Sequence, residues 1–266
     1  MANERILRNI RLADGSIVKF EHRKSLTSTA ALAKSYANAG YPNKYVVFTE
    51  KQYSNSITKS KLTAGVPDKG MFLSCILRPS FFPAQAGLLG PLATVALLSG
   101  LEKHTDKRLN IGWVSDIYCE GIRIGGASVE GKLNNTASYE YLIVTFAIHI
   151  DQKLFPPKLN DMIRKVFEDE NESVEMIMAK TVLNKFFAVY SSMKNPEKYM
   201  DLYQRKFILR DKKIKQVVDG KKRALKVVDV DPKTCALTVE KRRGETEKIT
   251  SPFGIIVPNK IKLDKS

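Results

Sequence analysis

Apolar residues recur along this chain with two different periods, and the switches between them mark its elements. Runs rich in β-branched and aromatic residues predict strands at Ile17–Phe20, Tyr45–Thr49, Met71–Arg78, Asn110–Val114, Ile117–Cys119 and Tyr139–Ile150. Helical spacing predicts helices over Thr27–Asn38 and over Pro91–Lys103, the latter through Leu92, Val95, Leu98 and Leu101. Ser28 or Thr29 can cap the first of these, and Gly40 follows its end. Pro91 stands where a first-turn proline is tolerated. Beyond Pro156-Pro157, further helices are expected at Asn160–Glu168 and Ser173–Met193. The stripe Val174, Ile177, Met178, Val182, Phe186 in the last of these reads as core, its methionine included.

Near residue 205 the pattern changes. Short runs at Lys206–Leu209, Lys213–Val218, Ala224–Val230, Ala236–Glu240 and Gly254–Val257 are divided by Asp219-Gly220, Asp231-Pro232 and Arg243-Gly244. Closely spaced short strands with turn signals predict a small barrel or sandwich. The expected architecture is therefore α/β (α+β), a mixed-sheet domain over residues 1–205 followed by a small β domain over 206–266.

Composition narrows the class. With 43% hydrophobic residues in 266, the chain has material for a real core, which excludes wholesale disorder. The most apolar stretch, Phe81–Leu101, is broken by Pro83, Gln85, Gly87, Gly90 and Pro91, so it reads as a buried helix and not a membrane span. The polar, basic start Met1–Arg11 has no signal-peptide core, and a cytoplasmic location is expected. Cys75, Cys119 and Cys235 are scattered and odd in number, which argues against disulfides and against a metal site. The net charge of +16 attracts polyanions, and Lys206–Arg223 is its densest stretch. No helix-turn-helix, zinc-finger or RNA-recognition signature accompanies it, so nucleic acid is not the expected partner.

Several short motifs resemble one family. Gly112-Trp113-Val114-Ser115-Asp116-Ile117-Tyr118, continuing to Ile122-Arg123-Ile124-Gly125-Gly126-Ala127-Ser128-Val129-Glu130, is similar to the KWPNDL(Y) and KLAGIL(V)E strand pair of biotin protein ligases. Ser28-Thr29 resembles the start of the STN motif, and Glu50-Lys51-Gln52 resembles E-x-Q at a strand end. Arg123-Ile124-Gly125-Gly126-Ala127 also resembles the KISGSA segment of lipoate protein ligases, which share the catalytic fold. The compact C-terminal β part favours the biotin branch, where it is an SH3-like barrel, and with no N-terminal winged helix read in the sequence the type without a DNA-binding domain is expected.

The resemblance implies ATP-dependent attachment of biotin, with Mg²⁺, to a lysine of a carrier domain, through an acyl-adenylate. It implies Arg123 at the catalytic lysine position. Ser28, Thr29, Gln52, Lys59, Lys61, Trp113, Asp116, Gly125 and Gly126 are the implied ligand-binding positions. It also implies an acidic biotin- or lipoate-carrier domain as partner, and it allows a homodimer. The departures are as specific as the matches. Asn55–Lys61 replaces a glycine- and arginine-rich phosphate loop, and Ala30 the asparagine of STN. Gly112 and Ser115 replace the lysine and asparagine of KWPND, and His149 the asparagine of the GIGIN strand. Glycines admit phosphate to backbone amides, so their loss removes a cradle. Arginine keeps charge without the compact geometry of an ammonium. The expected function is a ligase-like protein with a degenerate site. Its alternatives are a non-catalytic binder of an acyl ligand or carrier domain, or a ligase for lipoate or another cofactor acid.

Overall fold

The computed structural model describes residues 4–53, 68–81, 83–150, 172–242 and 244–263. Its larger sheet has eight strands, in the spatial order β1 (Arg5–Arg11), β2 (Ile17–Arg23), β3 (Tyr45–Gln52), β4 (Asp68–Leu77), β8 (Tyr139–His149), β7 (Ile122–Leu133), β6 (Asp116–Cys119) and β5 (Leu109–Gly112). Only β2 and β3 run parallel, because helix α1 (Thr29–Asn38) crosses over between them. Ser28 caps that helix by accepting from the Ala31 amide.

The central strands β3, β4 and β8 are buried on both faces, which is why they read as nearly continuous apolar runs. Val46, Phe48, Leu73, Cys75, Val144 and Phe146 lie in one core with helices α2 (Leu89–Leu101) and α3 (Val174–Tyr190). Tyr45, Val47, Ile76 and Ile143 turn the other way and pack with Ala33 and Ala37 of α1. Helix α2 is buried almost throughout. Gly100 lets it approach α3, since a Cβ there would sit 2.7 Å from Val182 Cγ2. Among the described residues no helix is long and apolar enough to cross a membrane.

A last helix, α4 (Glu197–Lys206), occupies ground where a strand over Lys206–Leu209 was expected. Tyr199, Met200 and Tyr203 anchor it by burial. Phe207-Ile208-Leu209 is instead a buried connector, held by one bridge to Ile111. Apolar runs of three residues do not distinguish a ladder from a packed connection. Two strands went unexpected, β1 and β12 (Thr246–Ile249), both too polar to announce themselves, and β7 entered only through the family resemblance. The expected helix at 160–168 lies outside the described residues.

Five antiparallel strands form the C-terminal unit, in the order β12, β11 (Leu237–Glu240), β10 (Lys221–Val230), β9 (Lys213–Val218) and β13 (Ile255–Ile256). Ordered hydrogen bonds join this unit to the large sheet. Trp113 Nε1 donates to the Cys235 carbonyl at 2.7 Å, Tyr118 to that of Pro258 at 2.6 Å, and the Arg123 amide to that of Asn259 at 2.9 Å. The three cysteines are free and buried. Burial pushes the Cys75 thiol up to about 12 and those of Cys119 and Cys235 to about 11, so none is a ready nucleophile.

Candidate functional site

The turn between β5 and β6 brings the motif residues together. The Trp113–Val114 peptide is cis. Tyr203 of α4 donates to the Val114 carbonyl at 2.8 Å and fixes the turn from below. Gly125 and Gly126 let β7 press against its neighbours. A Cβ on Gly125 would stand 2.0 Å from the Ala147 carbonyl oxygen, and one on Gly126 2.2 Å from that of Ser115. Both glycines thus serve strand packing, whatever else they do.

Between this turn, the start of α2, β7 and β13 lies a cleft of about 900 Å³. Trp113, Ser115, Asp116, Arg123, Ser128 and Val257 are among the residues that line it. Arg123 does not offer an open cation. Its Nη2 reaches Asp116 Oδ1 at 2.6 Å, with both side chains mostly buried at 13% and 15% exposure. A charge-assisted contact of this length neutralises the guanidinium on the cleft wall. Trp113 is 3% exposed and bonded across to Cys235, so its larger part is packing.

Two of the other implied ligand-binding residues, Thr29 and Gln52, meet on the α1 side of the sheet and bond each other and two further polar side chains. Thr145 Oγ1 and Ser74 Oγ are 2.8 Å apart, and Ser74 donates to Thr29 Oγ1 at 3.0 Å. Thr29 Oγ1 donates to Gln52 Oε1 at 3.2 Å, and the Thr29 amide donates to the same oxygen at 2.8 Å. With Ser74 giving its proton to Thr29, Thr145 is the donor to Ser74, and a single chain of hydrogen bonds runs from Thr145 to Gln52. None of the four exceeds 5% exposure, and none lines the cleft. Serial hydrogen bonds of this kind reinforce one another in a low dielectric.

Thr29 and Gln52 were legible in the sequence as site residues, whereas Ser74 and Thr145 were not, because each reads as one polar residue inside an apolar strand. A signal was present. With His149 at the asparagine of the family's GIGIN pattern, Thr145 and Ala147 fall on its two glycines. Ser28 stands apart from the quartet as the cap of α1. Lys59 and Lys61 lie outside the described residues.

Glu50, beside Gln52, is drawn away from the cleft. Its carboxylate is 2.7 Å from His22 Nε2 and accepts from Ser173 Oγ at 2.8 Å, at the N-cap of α3. Burial pushes this carboxyl up, but the His22 contact and the Ser173 hydrogen bond outweigh it and hold it below the usual range. Among the described residues no group of three or more His, Cys, Asp or Glu is arranged to hold a metal ion. Among the described residues, the Thr29, Ser74 and Thr145 hydroxyls are engaged with one another and with the Gln52 side-chain oxygen.

No family model matches the chain. Over 152 residues it is 26% identical to the bifunctional ligase/repressor BirA of Bacillus subtilis (strain 168), covering 56% of this chain and 46% of that protein. The BirA of Bacillus spizizenii is 25% identical over the same length. The chain thus spans about half the length of the curated relatives it matches. Among solved structures, the biotin protein ligase from Aquifex aeolicus in complex with biotin and ATP superposes with a TM-score of 0.61 at 15% identity, covering 89% of this chain and 97% of that one. A biotin protein ligase-like protein of unknown function from Silicibacter superposes at 0.57 and 12% identity, covering 88% and 94%. Element order, the mixed eight-stranded sheet and the appended antiparallel sheet agree with this likeness, and the chain has the catalytic fold of the biotin protein ligase family.

Proposed function

We propose that this chain is a biotin protein ligase-like protein that binds and does not efficiently activate: a non-catalytic relative that engages an acyl-carrier domain. The observation that carries the reading is the closed quartet of Thr29, Gln52, Ser74 and Thr145. A ligand's amide or ureido group needs such donors and acceptors open, and here the Thr29, Ser74 and Thr145 hydroxyls and the Gln52 side-chain oxygen are engaged with one another out of water. Opening them costs about 1–3 kcal/mol for each group left unpaired. Arg123, held by Asp116, supports the same reading from the cleft side.

Fold alone does not confer the chemistry. What the fold retains is an open cleft between two units. The relative named a biotin protein ligase binds biotin and ATP in its structure. The acidic carrier domain acted on by such enzymes is the partner that a chain of charge +16 would attract. Titrating an acidic biotin-carrier domain into the full chain tests this. The reading expects binding that weakens steeply with added KCl, with no label transferred to the carrier lysine from ATP and biotin. Stoichiometric biotin transfer would overturn it, as would the absence of any carrier binding at low salt.

A further inference from the structure

The dense basic run at the start of the C-terminal unit has no part in the cleft, and the fold spreads it over one surface. Residues 206–266 hold 17 Lys and Arg against 8 Asp and Glu, whereas residues 1–205 hold 27 against 20. More than half of the net charge therefore sits in less than a quarter of the chain. Pairing places it. Lys213 faces Lys226, Lys215 faces Ala224, and Val217 faces Lys222 across the β9–β10 ladder. Directly opposed residues share a face. Ile214 and Leu225, one step out of phase, are buried, so the lysines occupy the outer face.

Lys226 is neutralised by Asp211 at 3.0 Å. Lys213, Lys215 and Lys222 are exposed and make no ion pair among the described residues. Along β9, Lys213 and Lys215 project about 7 Å apart, from a rise of about 3.4 Å per residue. In the same unit an aromatic, Phe253, is 92% exposed. The following residue, Gly254, accepts from the Val217 amide at 2.8 Å, and Val217 is the residue opposite Lys222. Phe253 thus immediately precedes the backbone contact at the Lys222 end of the β9–β10 ladder.

We infer that this face binds single-stranded nucleic acid, with Lys213, Lys215 and Lys222 on phosphates and Phe253 stacked on an unpaired base. Lysines on flexible stems track a polyanion as point charges, without the fork geometry of a guanidinium. An exposed phenyl ring has a use against a base, which every nucleotide offers as a π-face. The lack of a recognised nucleic-acid motif in the sequence is no obstacle, because recognition here rests on charge and stacking and not on base edges.

The test is fluorescence anisotropy with the full chain and a labelled single-stranded oligonucleotide of roughly 16 nucleotides, across a KCl series. Three phosphate contacts predict that the salt slope of the K213A/K215A/K222A variant is shallower than wild type by about two, at roughly 0.7 per phosphate. F253A should weaken binding by about 5- to 140-fold, the conversion of about 1–3 kcal/mol per stacked base, while leaving heparin binding unchanged. All four positions are exposed, so the variants should fold, and unchanged circular dichroism confirms it. Failure of wild type to bind at low salt overturns the inference. Equal binding by the triple-lysine variant, or F253A binding like wild type, also overturns it. So does a preference for polyglutamate or phosphatidylserine vesicles, which would reassign the face to an acidic protein or a membrane surface.

Discussion

Removing Ser74 from the middle of the quartet should cost more than its size suggests. In Ser74→Ala the Thr145 hydroxyl loses its only hydrogen-bond partner among the described residues, and Thr29 Oγ1 loses its donor, both at 5% exposure or less. Orphaned buried hydroxyls cost about 1–3 kcal/mol. Thr145→Val is milder, because Ser74 still donates to Thr29, and about 1 kcal/mol is expected for one lost hydrogen bond. The double variant leaves no orphan at Thr145, so its loss should fall short of the summed single losses by about 1–2 kcal/mol, within the range for residues in one network. Urea unfolding of the four proteins followed by circular dichroism measures this coupling. Thermal scans should show the Ser74→Ala transition lower by several degrees, at roughly 2–4 °C per kcal/mol for a chain of this size. Additive single losses would refute a mutually satisfied quartet. They would mean that the four side chains are bonded elsewhere and are open to a ligand.

Acid should act on two separate groups. The His104 ring is 2% exposed with no hydrogen-bond partner among the described residues, and burial holds it down at about 4. The unfolded chain takes up that proton near 6.5, so stability is full above pH 6.5 and falls by about 3 kcal/mol as the pH drops toward 4. His104→Leu should flatten urea midpoints over that window, and an unchanged slope would remove His104 as the cause. Glu21 is fully buried and accepts from Arg23 Nε at 2.7 Å, Arg5 Nε at 2.9 Å, Tyr36 and Tyr45. Burial pushes its carboxyl up, yet hydrogen bonds from Tyr45, Arg23 and Tyr36 outweigh burial and hold it below its ordinary value. Its stabilisation is therefore present above about pH 4.5 and lost below. Glu21→Gln should cost about 3–5 kcal/mol at pH 7, as breaking a buried ion pair does, and calorimetry showing under 1 kcal/mol would contradict the network. Arg123→Lys should restore little biotin activation, since Asp116 would hold the ammonium as it holds the guanidinium. A large gain in biotin-dependent exchange would show that the guanidinium itself was the obstacle.

The fold was legible because burial on both faces writes itself into composition. Strands β3, β4 and β8 and helix α2 carry nearly continuous apolar runs, so their identity was plain from the chain alone. Strand β1 was not, because five of its seven positions are exposed at the sheet edge, where arginines do not alternate with core residues. The site was legible only as far as local motifs reach. Thr29, Gln52, Trp113, Asp116 and Arg123 were singled out as candidates in this way. Whether they stand open or closed depends on partners distant in sequence. Ser74 lies 45 residues from Thr29 and 71 from Thr145, and no local pattern links them. The lysine face was half visible. Its charge density was clear, but only the β9–β10 register separates the outward lysines from those that alternate with the core.

Biotin-dependent exchange of labelled pyrophosphate into ATP by the unmodified chain is the most direct measurement of the central claim. Preorganised positive charge at a reacting phosphate is worth about 10²–10³ in rate for each donor lost. Here the cation at the family's lysine position is clamped by Asp116, and the quartet is closed. Losses among groups that act together do not simply multiply. Even so, the expected exchange rate lies at least about two orders of magnitude below that of an active ligase such as the Aquifex aeolicus enzyme assayed beside it. Exchange within tenfold of that enzyme would contradict the claim and show that Thr29, Gln52 and Arg123 open to a working site.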